Sequence, residues 1–404
     1  MKLGKLITSL GFLIIIFSLG FITVTKEDNK KSEFENRALA QRPSISKNEI
    51  FSGEFFKNYE TYFTDQFYQR DKWVKTFILW QLRSNKTYVN GYHVTDDGWI
   101  LGKPMEGLAK KDLNISAKNI KELSDYLSQK DSELYFSPFP AKVNETTGSL
   151  PWYVSKGTGN ENYHYLMSKL EEKNINLIDI SGKWNEKFSD EEIKEFYMKT
   201  DHHWNMLGAF KGYQLIMENL SSIYEGIPTD YNKENYKYTC EKDKKFVGSW
   251  NRSLYKLIDT SIDDFCYFTP VNYSFQDLKV YKGKVSKKNM VSDNREIYAS
   301  GVKDDLEEFN YHTAYADNYP ELNIINEESK NDLKVLILKD SYTNPLIFHM
   351  AHHFHHTTIY DSRYNYDRSV YDYLEKNDYD IVLITLNTNN IRGKMYNFEQ
   401  PGKK

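Results

Sequence analysis

Cysteine is almost absent. Cys240 and Cys266 are the only two in 404 residues, too few for a disulfide scaffold or a four-thiolate metal centre. Two readings of the pair stay open: one bridge in an oxidising compartment, or two buried thiols. An excess of one charge is also missing. The 53 Lys and Arg against 57 Asp and Glu leave a net charge of -4, so no basic field exists to hold a nucleic-acid backbone. Nucleic acid is not an expected partner. The chain carries no internal repeat or low-complexity tract, which excludes solenoids and propellers. After residue 25 no apolar run is long enough to cross a bilayer.

Before residue 25 there is one. From Leu6 to Thr25, LITSLGFLIIIFSLGFITVT runs without a charge, and about 20 helical residues at 1.5 Å each match the ~30 Å hydrocarbon core. It has neither the short apolar region nor the small-residue site of a cleaved signal, so an uncleaved anchor is expected. Lys2 and Lys5 precede the run and Lys26, Lys30 and Lys31 come after it, so flanking charge does not set orientation. A single N-terminal span exports the chain beyond it, which places the main domain outside the cytoplasm. The expected organisation is a short cytoplasmic segment (1–5), an anchor (6–25), a tether (26–45) and a large domain (46–404). Tyr is abundant, at 32 residues. Such rings suit carbohydrate, and they equally suit a codon bias toward Tyr, Lys, Asn and Ile.

Between Ile50 and Leu82 the aromatics recur at helical spacing, and their expected role is packing. GYHVTDDGWILGK comes next, with strand-like residues around an Asp-Asp-Gly turn, and predicts a hairpin. From Lys110 helix-like and apolar strand-like segments alternate, as in NISAKNIKELSDYLSQK before ELYFSPFPAK. The alternation predicts an α/β fold with a mostly parallel sheet flanked by helices, whose functional groups sit at the carboxyl ends of strands. The stretch from about 224 to 330 breaks this rhythm and reads as an inserted irregular subdomain.

Two segments carry chemistry. In VLILKDSY, Val335–Leu338 form a strand and Ser341 lies just past its carboxyl end, where a nucleophile is exposed and helix amides can face an oxyanion. The same Asp-Ser also suits a simple helix cap. In TDHHWN, Asp201 and His203 are two apart, so in extended chain they share a side, and His202 points the other way. A serine hydroxyl needs an imidazole base, and the imidazole needs a carboxylate to set its tautomer. A helix is predicted from Asn205 to Ile223.

TDHHWN and LILKDSY, in that order, resemble the bacterial DHHW family. These proteins are similar to the SGNH-hydrolase-like proteins that O-acetylate exported polysaccharides, the alginate O-acetylation proteins among them. FENRALAQRP, FTDQFYQRD, DDGWILG, FPAK, FVGSW and YDSRYNYD extend the resemblance from about Glu35 to Asn390. The resemblance implies a triad of Ser341 (nucleophile), His203 (base) and Asp201 (orienting acid). It further implies oxyanion donors at the Ser341 and Tyr342 amides, an anion-holding Arg363, and a late asparagine among Asn387, Asn389 and Asn390. Lys339 departs from the glycine that commonly precedes the Asp-Ser. The implied activity is O-acetyl transfer to a cell-envelope polysaccharide, with a membrane-bound O-acyltransferase as the partner that supplies acetyl groups and with no cofactor. Acetyl-ester hydrolysis and non-catalytic polysaccharide binding or assembly are the alternatives.

HMAHHFHH offers a rival. Its i, i+3, i+4 histidines have zinc-ligand spacing. Ile347, Met350, Ala351 and Phe354 mark an apolar face, however, and His349, His352, His353 and His356 fall opposite it. The histidines are therefore expected to face solvent, and no metal site is predicted.

Overall fold

Val335, Leu336, Ile337 and Leu338 form the middle of a seven-stranded sheet in the computed structural model. The structure describes residues 2–35 and 37–402. Met1 of the expected 1–5 segment, Asn36 of the FENRALAQRP motif, and Lys403 and Lys404 of the expected 46–404 domain lie outside the described residues. The strands are β1 (Glu133–Phe136), β2 (Asn176–Leu177), β3 (Lys279–Lys282), β4 (Glu321–Ile325), β5 (Lys334–Lys339), β6 (His356–Tyr360) and β7 (Ile381–Thr385). Their spatial order is β2-β1-β7-β5-β6-β4-β3. Only β4 runs against its neighbours β6 and β3, while every other pairing among β1, β2, β5, β6 and β7 is parallel.

The continuous apolar run of β5 reflects its position, because a central parallel strand is covered on both faces. Val335 and Ile337 enter one core and Leu336 and Leu338 the other. Each such side chain contributes roughly 1.5–3 kcal/mol when removed from water. On the Leu336 side pack helices α4 (Lys110–Ser128) and α5 (Gly159–Glu171). The apolar residues Leu113, Ala117, Ile120, Leu123 and Leu127 recur every three or four positions along α4 and are all buried. On the Val335 side lies α6 (Met206–Ile223), which buries Phe210, Tyr213, Met217 and Leu220. Asn205 starts α6 by accepting from the amides of Leu207 and Gly208 at 3.0 and 3.1 Å.

The stretch 224–330 does two things. It forms an antiparallel hairpin, Tyr236–Glu241 against Phe265–Pro270, in which Cys240 and Cys266 are directly opposite and disulfide-bonded. It also supplies β3 and β4 to the main sheet. Of the two readings of the cysteines, the structure takes the bridge.

The histidine tract is only partly solvated, with His352, His355 and His356 half-buried. His349 and His353 are fully buried, contrary to the expectation from the helical pattern. The helix here, α7 (Ile347–Ala351), is only five residues long and is enclosed on the side opposite its apolar face as well. Phe210 and Phe275 pack on the His349 ring, and Tyr213 Oη meets His353 Nε2 at 2.5 Å. A hydrophobic pattern marks one buried face, and it is silent about what covers the other.

The chain divides into two compact units, one of residues up to Asn90 together with Asn251–Ile258, the other of Gly91–Trp250 with the residues from Asp259 on. The sheet belongs to the second. The first holds α1 (Lys2–Thr25), α2 (Glu54–Asp65) and α3 (Arg70–Arg83). From Leu3 to Thr25, α1 is long and apolar enough to cross a membrane. Residues 26–45, expected as a tether, are fastened to α2: Asp65 binds Arg37 and the Ala40 amide, and Gln66 binds Asn29 and the Ala40 carbonyl.

Candidate active site

The site forms where β5 ends. Asp340, the cap of the next turn, accepts from the Tyr342 amide at 3.0 Å and from both the amide and the side chain of Asn387 at 2.8 and 2.6 Å. Asn390 adds a bond at 3.1 Å. One buried carboxylate thus ties the Ser341 turn to the chain leaving β7. The turn is a tight helix, Ser341–Leu346, and it presents Ser341 Oγ 2.8 Å from His203 Nε2.

His203 arrives from the other segment. The chain doubles back there, with a bridge between Tyr197 and Trp204. The Trp204 indole donates to the Tyr342 carbonyl at 2.9 Å, so the two motifs are stitched together beside the serine. His203 Nδ1 meets Asp201 Oδ1 at 2.6 Å, and the same oxygen accepts from the His203 amide at 3.1 Å. Asp201 Oδ2 accepts from the Ser249 amide. That contact needs a bare glycine before it, because a Cβ on Gly248 would stand 2.2 Å from the Thr200 carbonyl oxygen.

The electrostatics favour a neutral imidazole. Burial, and then His202, push His203 down to about 3. Burial alone would raise Asp201, but His202, His203 and the Ser249 amide hold it well below the usual carboxylate range. An ionised carboxylate can only accept, so the proton of neutral His203 sits on Nδ1 and the Nε2 lone pair faces the serine hydroxyl.

Ser341, His203 and Asp201 are therefore brought together. Arg363 and Asn387 line the same cavity of about 460 Å³ as Ser341, together with Lys103, His202 and Trp250. Among the described residues no carboxylate lines it. Arg363 lies against Asp361 at 2.8 and 2.6 Å, and Lys339, where a glycine is usual, reaches the same carboxylate at 3.5 Å and Asn344 at 2.7 Å. Lys339 and Arg363 share the Asp361 carboxylate, and the Asp340 carboxylate also acts on both, so the charges behind the cavity wall are balanced. The Tyr342 amide is already engaged by Asp340, so it is held in the turn and is not aimed at a ligand.

His202 does not point away from the site. Its ring lies 3.7 Å from that of His203, and its Nδ1 meets Ser249 Oγ at 2.7 Å. Strict alternation fails because the segment is a bend, not a strand. Asp201, His202 and His203 offer ligand atoms within 4.8 Å of one another, close enough for a metal ion. Both ring nitrogens of His203 are committed, however, to Asp201 and Ser341, and an ion would have to break that chain.

Sequence reasoning overlooks two more residues. Tyr311 stacks on His203 at 3.7 Å and 6°, and nothing in its local sequence marks it. Lys142, in the FPAK motif, is fully buried, and its ammonium donates to the carbonyls of Ile100, Lys199 and Asp201 at 2.8, 2.9 and 2.8 Å. Trp99 and Trp250 flank it. Burial pushes Lys142 down to about 7 while Asp263 and Asp201 pull it back up.

A serine at the end of a central strand of a largely parallel sheet, beside a His-Asp pair from a neighbouring bend, is the arrangement of α/β serine hydrolases. A family model described as "SGNH hydrolase-like domain, acetyltransferase AlgX" matches residues 94–259. The structure of Bacillus cereus PatB1 is similar at 33% identity and a TM-score of 0.68, covering 76% of this chain and 99% of that one. A second PatB1 structure, with a sulfonyl adduct, is similar at 29% identity and a TM-score of 0.65, over 76% of this chain and 100% of that one. A DHHW family protein from Eubacterium siraeum shares the fold at 20% identity and a TM-score of 0.56, over 78% of this chain and 98% of that one. No curated protein matches the chain in sequence. The chain belongs to the SGNH-hydrolase-like family that includes PatB1.

Proposed function

We propose that this protein is a membrane-anchored, extracytoplasmic O-acetyltransferase that moves acetyl groups onto a cell-envelope polysaccharide through Ser341, His203 and Asp201. The observation that carries the reading is the unbroken chain of hydrogen bonds, 2.8 and 2.6 Å, from the serine hydroxyl through His203 to Asp201 at a cavity mouth. Ser341 Oγ attacks the donor carbonyl as its proton passes to His203 Nε2, and Asp201 stabilises the resulting imidazolium. The leaving group takes that proton. A sugar hydroxyl then gives its own proton to His203 and attacks the acyl-serine, which releases the acetylated sugar and free Ser341. Water in place of the sugar would make the same site an esterase.

The name of the matching family model supports acyl transfer. PatB1 carries a sulfonyl adduct in one structure, and such adducts form on nucleophilic side chains, which supports a nucleophile here. Arg363 and Lys103 line a cavity whose described lining holds no carboxylate, and although each is paired outside it, with Asp361 and Glu106, they suit an anionic group on donor or acceptor. The Cys240–Cys266 bridge suits an oxidising compartment, and α1 suits an anchor that keeps the domain near a membrane-bound O-acyltransferase acting as donor.

The test is labelling and turnover together. The wild-type protein should react with a fluorophosphonate probe and cleave a chromogenic acetyl ester, and Ser341→Ala should do neither while keeping its circular dichroism spectrum. Persistent turnover in Ser341→Ala would sink the mechanism. Acetyl groups appearing on purified envelope polysaccharide, and not only as free acetate, separate transfer from hydrolysis.

A further inference from the structure

Helix α3 carries a half-exposed aromatic stripe. Trp73, Phe77 and Trp80 are 55%, 56% and 55% exposed, and positions i, i+4 and i+7 share one helical face. Ile78, away from this stripe, is the one fully buried residue of α3. Phe77 and Trp80 stack on each other at 5.9 Å, and Lys86 lies over the Trp80 ring at 5.0 Å. Large apolar side chains in a row at half exposure are a docking surface.

The position of the stripe identifies its occupant. The loop that leads into α3 is bonded to the last turn of α1: the Tyr68 amide donates to Thr23 Oγ1 at 3.1 Å, and Thr23 is completely buried. Arg42 reaches the Val24 carbonyl in the same turn. The apolar run ends at Thr25, with Lys26 next, so this turn stands where a spanning helix leaves the hydrocarbon for the headgroups. α3 begins at Arg70, two residues past Tyr68. The first turn of α3 therefore starts beside the end of the apolar run, held by contacts within its own unit. Tryptophan rings are favoured at the headgroup level of a bilayer, and the exposed Lys72, Arg83 and Lys86 beside the stripe suit anionic lipid headgroups.

We propose that the Trp73–Phe77–Trp80 face of α3 docks into the membrane interface beside the anchor, so that the protein lies on the bilayer as well as spanning it. This inference rests on the proposed uncleaved anchor. The occupant is the lipid surface itself, not a protein groove. A bilayer accepts a single helix face flanked by cations without requiring complementary shape.

The experiment uses the full chain reconstituted into vesicles of phosphatidylcholine with a minor fraction of phosphatidylglycerol, the acyl chains being brominated near their headgroup ends. Bromine quenches tryptophan at short range, and Trp73 and Trp80 are two of seven tryptophans. Quenching is expected in the wild type and should fall by more than half in Trp73→Phe/Trp80→Phe, a pair of changes at exposed rings that leaves the core untouched. Flotation of the protein with the vesicles is read in the same sample. Failure to float overturns the anchor and this surface with it. Flotation with no quenching, or with equal quenching in the double variant, overturns the surface alone. Shielding of the two tryptophans from aqueous acrylamide without bromine quenching would mean that protein covers them, and also overturns the proposal.

Discussion

His203 Nε2 lies 2.8 Å from Ser341 Oγ although 138 residues separate them in sequence. The contact is held from behind, by Asp340 on the serine side and by Asp201, Tyr311 and Lys142 on the histidine side. Disturbing these supports, or the burial around them, has measurable consequences.

Asp201→Asn keeps the size of the side chain and removes its charge. The amide can donate to Nδ1, which would move the imidazole proton to Nε2 and turn the lone pair away from Ser341. Acetyl-ester turnover should fall on the order of 10³- to 10⁴-fold with little change in KM. A loss below tenfold would mean that Asp201 does not set the tautomer.

The pH dependence has two parts. His203 must be neutral to accept the serine proton, and it is pushed down to about 3, so kcat/KM should show no loss as pH falls through the ordinary histidine value of 6.5. Stability behaves otherwise. His203, His349 and His353 are each held near 3 by burial, while in the unfolded chain they titrate near 6.5. Above 6.5 neither state binds these protons. Below it only the unfolded chain does, so stability falls toward about 3, by up to about 1.4 kcal/mol per pH unit for each group. The contribution of these three histidines should therefore appear as a urea midpoint that declines as pH falls from 6.5 toward about 3.

Lys142→Met removes three hydrogen bonds and leaves the Ile100, Lys199 and Asp201 carbonyls without that partner. The Lys199 carbonyl keeps the Ile100 amide at 3.0 Å, but a buried carbonyl left unpaired costs about 1–3 kcal/mol, so a loss of a few kcal/mol in denaturant unfolding is expected. Lys142→Arg, which keeps the charge but not the compact three-way geometry, should recover only part of it.

Reduction of Cys240–Cys266, or its replacement by Cys240→Ser/Cys266→Ser, opens a 26-residue separation in the hairpin. A loop of that size corresponds to about 3.5 kcal/mol of chain entropy in the unfolded state. The thermal midpoint should drop while esterase activity measured below the transition is retained, because neither cysteine lines the Ser341 cavity. Unchanged thermal stability would mean that the cross-strand pairing holds the hairpin without the bond.

Local pattern alone determines a good deal of this protein. The uncharged run at Leu6–Thr25, the hairpin around Asp96 and Gly98, the helix after Asn205 and the apolar strand Val335–Leu338 are all legible, because each is written in the spacing of neighbouring residues. The two motifs TDHHWN and KDSY are legible as candidates, since their residue types match a known chemistry. Which groups they face is decided only by the tertiary structure. His349 and His353 are buried because Phe210, Tyr213 and Phe275 close over a five-residue helix, and no period within that helix encodes those distant rings. Lys142 supports Asp201, Tyr311 stacks on His203, and 224–330 returns two strands to the sheet for the same reason. Periodicity records how a segment meets water, whereas a polar site records which segments meet each other, and that depends on the whole chain.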